Sequence, residues 1–205
     1  LDEKGVEIGI INELALTPSK WLGTYKNQII SKTESGYWLI KSGDSYGFEL
    51  GYKEGREFTA EYVNTYHKGI GHHEPYKQST KVFERDLQPG DKIYIVEYKN
   101  NDIPAPGGWG SKNKITSVKQ VREDLAILND WKNANQDELV LREYTLNKPM
   151  PVRDGVVGPL QEVSGPNTGN IYNGNQHQYE FIQNLRAENW KNYFDENNIK
   201  QYSLE

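Results

Sequence analysis

The run NGNQHQYEF, from Asn173 to Phe181, places several neutral hydrogen-bonding side chains directly before an alternating aromatic pattern. Gln178, Tyr179 and Phe181 indicate the start of a strand, although amides and imidazoles contribute little to a packed core. A carboxamide at such a position can both donate and accept hydrogen bonds at a glycosidic or ribose centre. Gln178 is therefore a candidate for such a contact, although taken singly it is more often a structural residue.

Aromatic and arginine side chains elsewhere in the chain could complete a nucleotide site. Arg122 and Arg142 could each hold a diphosphate through the guanidinium fork. Each of them also has an ordinary structural interpretation, since surface arginines and core aromatics are common. Rings that could stack on a base or on nicotinamide are those of Tyr94, Trp109, Tyr172 and Tyr179.

Three histidines, His67, His72 and His73, occur within HKGIGHH. Imidazole is a common metal ligand, but adjacent residues of an extended segment point to opposite sides, and no carboxylate completes a familiar spacing. We therefore predict a polar surface loop and no metal site. The chain also contains no phosphate-binding loop, dinucleotide fingerprint or Gly-x-Ser-x-Gly elbow, and no cysteine.

The elements that would position these residues are mostly short strands. Apolar spacing predicts a first helix over residues 2–16, a helix or loop over 58–76, and a helix from Ser117 that continues towards Trp131. Alternating patterns predict a hairpin around Ser42-Gly43-Asp44 and further strands or extended segments in 87–100, 139–146, 148–160 and 178–185. A short helix and a last extended segment are expected in the tail.

These elements favour one α+β fold with a partly helical N-terminal portion. We assign residues 1–80 to a helical and hairpin portion that packs on the rest, and residues 81–205 to the domain with the candidate site. The net charge of −5 and the pI of 5.5 argue against general nucleic-acid binding, and no apolar run is long enough to span a membrane. The first ten residues have no signal-peptide pattern, so we expect a fragment of a longer protein.

The order of motifs resembles that of the tuberculosis necrotizing toxin family of NAD glycohydrolases and, more broadly, the ADP-ribosyltransferase-like domains of polymorphic toxins. The matching segments are, in order, LQPGDKIY, PAPGGWGS, TSVKQVREDLA, REYTLNKPMPV, GVVGP and the glutamine–tyrosine pair Gln178-Tyr179. They extend from about Leu87 to Phe181. The residues before them resemble no family that we can name.

This resemblance implies small antiparallel sheets around a cleft that binds NAD as substrate. Gln178 would be catalytic, and Tyr94, Trp109, Arg142 and Tyr179 would contact the substrate. The family has an arginine where this chain has Ile95, so Arg122 would take the role of that arginine and would be the second catalytic residue. The implied product pair is nicotinamide and ADP-ribose, and no further cofactor is expected.

The resemblance also implies a toxin domain that is secreted or delivered into a target cell, with a cognate immunity protein as partner. An ADP-ribosyltransferase of the same fold group is an alternative, and Glu180 would then be the catalytic glutamate, although we expect it to face away from Gln178. A non-catalytic nucleotide-binding module or a nuclease toxin is the other alternative.

Overall fold

The computed structural model describes residues 18–25, 28–33, 38–42, 45–49, 52–69, 71–99, 105–133, 138–182 and 187–205. The predicted helix over residues 2–16 lies outside these ranges. Internal contacts divide the chain into two compact units. One comprises Leu1–Gly51 and Tyr62–Glu74, and the other comprises Tyr52–Glu61 and Pro75–Glu205. The boundary that we placed at residues 80 and 81 stays a prediction.

The first unit contains a four-stranded antiparallel sheet in which neighbours in sequence are neighbours in space. Ser42 pairs with Ser45, which confirms the predicted hairpin. The described part of this portion begins with four strands, and the assignment of residues 1–80 as a helical and hairpin portion stays a prediction. These strands are Pro18–Tyr25 (β1), Gln28–Thr33 (β2), Trp38–Ser42 (β3) and Ser45–Glu49 (β4).

The remaining chain contains ten strands, two α-helices and two 3-10 helices in the described ranges. In order they are Glu57–Thr59 (β5), Ala60–Gly69 (α1), Lys81–Leu87 (β6), Lys92–Tyr98 (β7), Trp109–Ser111 (β8), Val118–Glu123 (α2), Leu139–Thr145 (β9), Met150–Val156 (β10), Leu160–Gln161 (β11), Ile171–Tyr172 (β12), His177–Phe181 (β13), the 3-10 helices Ala187–Asn192 and Glu196–Asn198, and Lys200–Ser203 (β14). None of the described helices is long and apolar enough to span a membrane.

An eight-stranded antiparallel sheet forms the centre of the second unit, with strand order β14-β9-β7-β8-β13-β10-β6-β5. The α+β class is therefore as expected, with few helices. β11 and β12 form a separate two-stranded sheet. β10 is an inner strand although it contains Pro151, which has no N–H to donate and accepts from Ile182 N at 3.4 Å.

The two faces of this sheet contact two different apolar clusters. Ile93 and Ile95 lie in one cluster, with Tyr144, Val152, Tyr179 and Phe181. Val96 lies in the other, with Leu141, Val157 and Val121 of α2, and Tyr94 packs against it. This alternation along β7 agrees with the predicted period of two. We call the face that carries Tyr94 and Val96 the amide face, because Gln178 lies on it, and the other the opposite face.

Helix α2 begins where its sequence predicts. The side chain of Ser117 accepts a hydrogen bond from Gln120 N, which confirms the expected N-cap. The helix ends at Glu123, earlier than the apolar spacing predicts, and Ala126 adopts a positive φ of 49°. Leu125 and Leu128 are nevertheless buried, so their spacing reflects burial in a turn rather than a continued helix.

Candidate functional site

Gln178 lies near the start of β13, an inner strand of the eight-stranded sheet. It pairs with Gly155 of β10 on one side and with Ser111 of β8 on the other. Its side chain is half-buried, and its Nε2 donates a hydrogen bond to the carbonyl oxygen of Pro75 at 2.8 Å. The carbonyl can only accept, so the NH2 group of the amide faces Pro75 and the Oε1 atom is left for other partners.

Two of the predicted aromatic residues share the amide face with Gln178. Trp109 pairs with Glu180. Ser111 pairs with Gln178 on one side and with Tyr94 on the other, so Tyr94 lies two strands from Gln178 in the same row. Both side chains are half-buried. Burial, and then the nearby Glu143 carboxylate, raise the pKa of Tyr94. The sheet thus brings an amide and two aromatic side chains to one face.

The next row of the amide face is occupied by a buried ionic network. Arg153 donates to Glu180 Oε1 at 3.0 Å and to Glu84 Oε1 at 3.1 Å, and Arg56 contacts Glu84 Oε2 at 2.7 Å. The hydroxyl of Tyr76 donates to Glu180 Oε2 at 3.1 Å. Burial first, and then the Glu180 charge, raise the pKa of Tyr76 well above its usual range. Both oxygens of Glu180 are therefore engaged.

The expectation that Glu180 faces away from Gln178 is wrong. Residues two apart on a strand point to the same side, so Gln178 and Glu180 both lie on the amide face. What separates them chemically is their surroundings, because Glu180 is held in the buried network while Gln178 is half-exposed.

Arg122 is 7% exposed and fixes the chain that follows α2. Its Nη1 donates to the carbonyl oxygen of Ile127 at 2.6 Å, and its Nη2 donates to that of Lys132. Burial lowers the pKa of the guanidinium, although the group keeps its charge. These contacts give Arg122 a structural role, and its assignment as the diphosphate ligand stays a prediction.

Two predicted site residues lie on the opposite face. Arg142 is 2% exposed, with Nη1 at 2.7 Å from Glu97 Oε2 and Nη2 at 3.1 Å from Gln201 Oε1. The hydroxyl of Tyr179 accepts from Arg85 Nη2 at 3.0 Å, and burial raises its pKa to about 12. The structure therefore does not bring Arg142 or Tyr179 together with Gln178.

Ile95 is 6% exposed and belongs to the apolar cluster of the opposite face. It pairs with Arg142 in the ladder between β7 and β9. An arginine at position 95 would consequently point away from Gln178, so the departure from the family pattern at this position removes nothing from the amide face.

Two of the three histidines lie outside regular structure, and one does not. His67 is buried within α1, where its ring centroid lies 5.1 Å from that of Tyr66 and 6.0 Å from that of His72. The interpretation as a surface loop is therefore wrong for His67, while His72 and His73 are exposed as expected. Within the described ranges, no three His, Asp or Glu side chains converge as a metal site would require.

A surface cavity of about 420 Å³ lies beside the end of α2 and β12. Carboxylates, amides and one aromatic ring line it, and Gln178 does not. The lining residues are Glu123, Asp124, Asn170, Ile171, Tyr172, Asn173 and Asn175. Tyr172, which was a candidate stacking residue, therefore belongs to a polar and acidic cavity, which does not suit a diphosphate.

Sequence reasoning missed the segment Pro75–Lys77, which contacts Gln178 and covers part of the amide face. Tyr76 forms an isolated bridge with Val157, and Lys77 N donates to Val156 O at 2.9 Å. The segment lies more than a hundred positions before β13, so no local pattern could connect the two. The one indication within the sequence is Gly155, because the lack of a side chain there leaves room for the Tyr76 ring.

No protein-family model matches this chain, and no curated protein matches it. Among solved structures, the chain is similar to that of Tne2 in complex with Tni2. The two sequences are 22% identical, the match covers 63% of this chain and 99% of that chain, and the TM-score is 0.47.

Proposed function

We propose that this protein is a toxin domain that hydrolyses NAD to nicotinamide and ADP-ribose. The segments that carry the family resemblance support this proposal by their position. LQPGDKIY leads into β7, PAPGGWGS into β8, REYTLNKPMPV spans β9 and β10, and the Gln178-Tyr179 pair lies in β13. These five strands are contiguous in the sheet, in the order β9-β7-β8-β13-β10.

The single observation that carries the proposal is the fixed orientation of the Gln178 amide. Its NH2 group faces the Pro75 carbonyl at 2.8 Å, which directs Oε1 away from that contact. An oxygen in this position can accept a hydrogen bond from a ribose hydroxyl or from an attacking water. It can also stabilise the positive charge that develops on the sugar as the glycosidic bond breaks.

The reaction needs little beyond such positioning. The bond between ribose C1′ and the nicotinamide nitrogen breaks, its electron pair stays on the ring, and nicotinamide leaves as a neutral molecule. Water adds to C1′ and releases one proton to solvent. Trp109 and Tyr94, on the same face as Gln178, are the residues that would contact the departing ring.

Transfer to another acceptor is less well supported than hydrolysis. A catalytic glutamate must be available to a substrate, whereas Glu180 accepts from Arg153 and from Tyr76 within a buried network. Arg122 stays in the proposal as a positioning residue, which fixes the segment after α2 through two backbone carbonyls. Delivery into a target cell and a cognate immunity partner belong to this proposal through the resemblance alone.

Incubation of the purified chain with NAD tests the proposal. We expect nicotinamide release, followed by chromatography, and a decrease of at least about 100-fold in Gln178→Ala, in line with the loss of a group that stabilises developing charge. Gln161→Ala is the matched control, because Gln161 lies exposed on β11, outside the proposed site. A folded wild-type chain that releases no nicotinamide above the spontaneous rate would contradict the proposal.

A further inference from the structure

The segment GVVGP, residues 155–159, carries part of the family resemblance, yet the proposed reaction uses none of its side chains. It begins in β10 and continues past the end of that strand, where residues 75–77 run beside it. We call residues 75–77 the strap. Main-chain contacts join the two segments at each position of the strap. They are Lys77 N to Val156 O at 2.9 Å, the isolated bridge between Tyr76 and Val157, and Gly158 N to Pro75 O at 2.9 Å.

Both glycines of GVVGP leave room for the strap. A Cβ atom at Gly158 would lie 2.7 Å from the carbonyl oxygen and 2.8 Å from the carbonyl carbon of Tyr76, so the main chain of the strap passes closer there than a side chain would allow. At Gly155 a Cβ atom would instead meet the Tyr76 ring. One glycine therefore seats the main chain of Tyr76, and the other seats its ring.

The Tyr76 ring lies next to the side chain of Gln178. Gly155 is the partner of Gln178 in the ladder between β10 and β13, and side chains of directly paired residues share a face. The ring occupies the space that a side chain at position 155 would fill, so it replaces the missing cross-strand neighbour of Gln178. Tyr76 is only 1% exposed, so its ring does not reach a substrate.

Two further contacts fix the Tyr76 side chain. Its hydroxyl donates to Glu180 Oε2 at 3.1 Å, and Glu180 Oε1 is held in turn by Arg153 at 3.0 Å. The ring centroid lies 5.9 Å from that of Trp109, the residue that would contact nicotinamide. The buried ionic network of the amide face therefore holds the side chain that is anchored on the strap.

The strap transmits the position of Tyr76 to the Gln178 amide. Pro75 directly precedes Tyr76, and its carbonyl oxygen accepts from Gln178 Nε2 at 2.8 Å. The peptide unit between Pro75 and Tyr76 is planar, so a displacement of the Tyr76 Cα atom moves the Pro75 carbonyl as well. The hydrogen bond that orients the amide therefore depends on where Tyr76 is seated.

We propose that Tyr76 is a positioning residue for Gln178, and that Gly155, Gly158 and Glu180 act on the site through Tyr76. This inference rests on the proposed function, which assigns Gln178 to the reaction. It gives Glu180 a role that requires no contact with a substrate. The Glu180 carboxylate holds the Tyr76 hydroxyl, Tyr76 fixes the Pro75 carbonyl, and that carbonyl orients the amide.

The exchange of the Gln178 side-chain NH2 protons with solvent water tests this inference, whether or not the chain hydrolyses NAD. Heteronuclear NMR spectra of the intact chain show these protons, and their signals are assigned by their loss in Gln178→Ala. Tyr76→Phe removes the hydroxyl and keeps the ring, so the variant should fold. We expect the NH2 protons to exchange about tenfold faster in Tyr76→Phe, because the hydrogen bond to Pro75 O opens more often.

Steady-state kinetics with NAD give the second measurement. In Tyr76→Phe, kcat should fall by about tenfold while KM stays within about twofold of the wild type. The buried ring does not touch the substrate, but its displacement moves a group that does. Gly158→Ala removes no hydrogen-bonding group and pushes on the main chain of Tyr76, so it should change the exchange rate and kcat in the same direction.

Tyr144→Phe is the matched control. Tyr144 is also buried, and its hydroxyl likewise donates to a carboxylate, that of Glu97 at 3.1 Å, but on the opposite face. This variant should keep the exchange rate and kcat of the wild type.

Unchanged exchange in Tyr76→Phe, or an equal increase in Tyr144→Phe, would overturn the inference, and so would an unchanged kcat of Tyr76→Phe where the wild type is active. If the wild-type chain releases no nicotinamide, the proposed function fails, and the exchange rates alone then decide whether Tyr76 positions Gln178.

Discussion

Gly155 and Tyr76 show how one missing side chain shapes the amide face. A Cβ atom at Gly155 would lie 2.5 Å from Cδ1 and 2.6 Å from Cε1 of the Tyr76 ring. The ring can therefore lie flat on β10 and extend its hydroxyl to Glu180 only because position 155 is a glycine. Its backbone needs no unusual φ, so the requirement is one of space alone.

Gly155→Ala should consequently destabilise the fold by about 2 kcal/mol, as overpacking of a dense interior does. Gly107→Ala is the control, because a Cβ there would meet no atom within 4 Å. Urea unfolding of the two variants measures the difference. If both lose the same stability, Tyr76 moves aside without cost and the close packing described above is not rigid.

Among the elements, those with strong local patterns could be predicted, and those formed by distant partners could not. The alternation of β7 and the N-cap at Ser117 could be predicted from the sequence. The strand β8 was missed because its three residues lie in a Gly- and Pro-rich run, and they become a strand only by pairing with β7 and β13. The inner position of β10, despite its proline, likewise depends on strands far away in the chain.

The same division holds for the candidate site. The position of Gln178 near the start of a strand could be predicted from its own segment, since the alternation that follows it is a local feature. Its distance to Pro75 and the separation of Arg142 onto the other face depend on register between distant strands. A shift of one residue in that register would exchange the two faces, which no single segment of the sequence reveals.

Glu143 of β9 contacts both neighbouring strands, so its substitution tests how much the contacts between these strands contribute to stability. It lies 2.8 Å from Lys92 Nζ of β7 and accepts from Tyr202 of β14 at 3.1 Å. The hydrogen bond from Lys92, and then that from Tyr202, lower the pKa of Glu143 below its usual value of 4.5. The unfolded chain therefore binds a proton more readily, and this contribution to stability is full above about pH 4.5 and is lost as the pH falls through the folded pKa.

Glu143→Gln should thus be destabilised by about 1 kcal/mol at about pH 7, and the difference from wild type should shrink at about pH 3. Urea unfolding at both pH values measures this. Glu138→Gln is the control, since its pair with Lys99 is half-exposed at both ends and should contribute little. A pH-independent effect of Glu143→Gln would show that the residue acts by packing rather than by charge.

For the molecule as a whole, the eight-stranded sheet of the second unit is notable for buried charge on both faces. Arg142 and Glu97 form a pair on the opposite face, and Arg153 joins Glu84 and Glu180 on the amide face. Such pairs contribute less to net stability than to the choice of one register, because a slipped strand would leave a charge buried without its partner.

Arg153→Met should destabilise the second unit by about 3–5 kcal/mol, because it removes the cation that Glu84 and Glu180 share. Arg56→Met is the control: Arg56 contacts the same Glu84 from a more exposed position, and Arg153 stays in place. Its effect should be about 1 kcal/mol. Comparable unfolding midpoints for the two variants would contradict a special role for Arg153.

The carbonyl oxygen of Pro75 accepts from Gly158 N at 2.9 Å as well as from Gln178, so both of its lone pairs are occupied. Rotation of the Gln178 amide by 180° would therefore break its hydrogen bond to Pro75 O and bring Oε1 against another acceptor. Molecules that approach Gln178 meet the acceptor Oε1 and the second N–H of Nε2, which is a donor. At the proposed site, a hydroxyl, an amine or water could donate to Oε1, whereas an ether, ester or carbonyl oxygen could only accept from the remaining N–H, so the amide would distinguish small molecules by their donors.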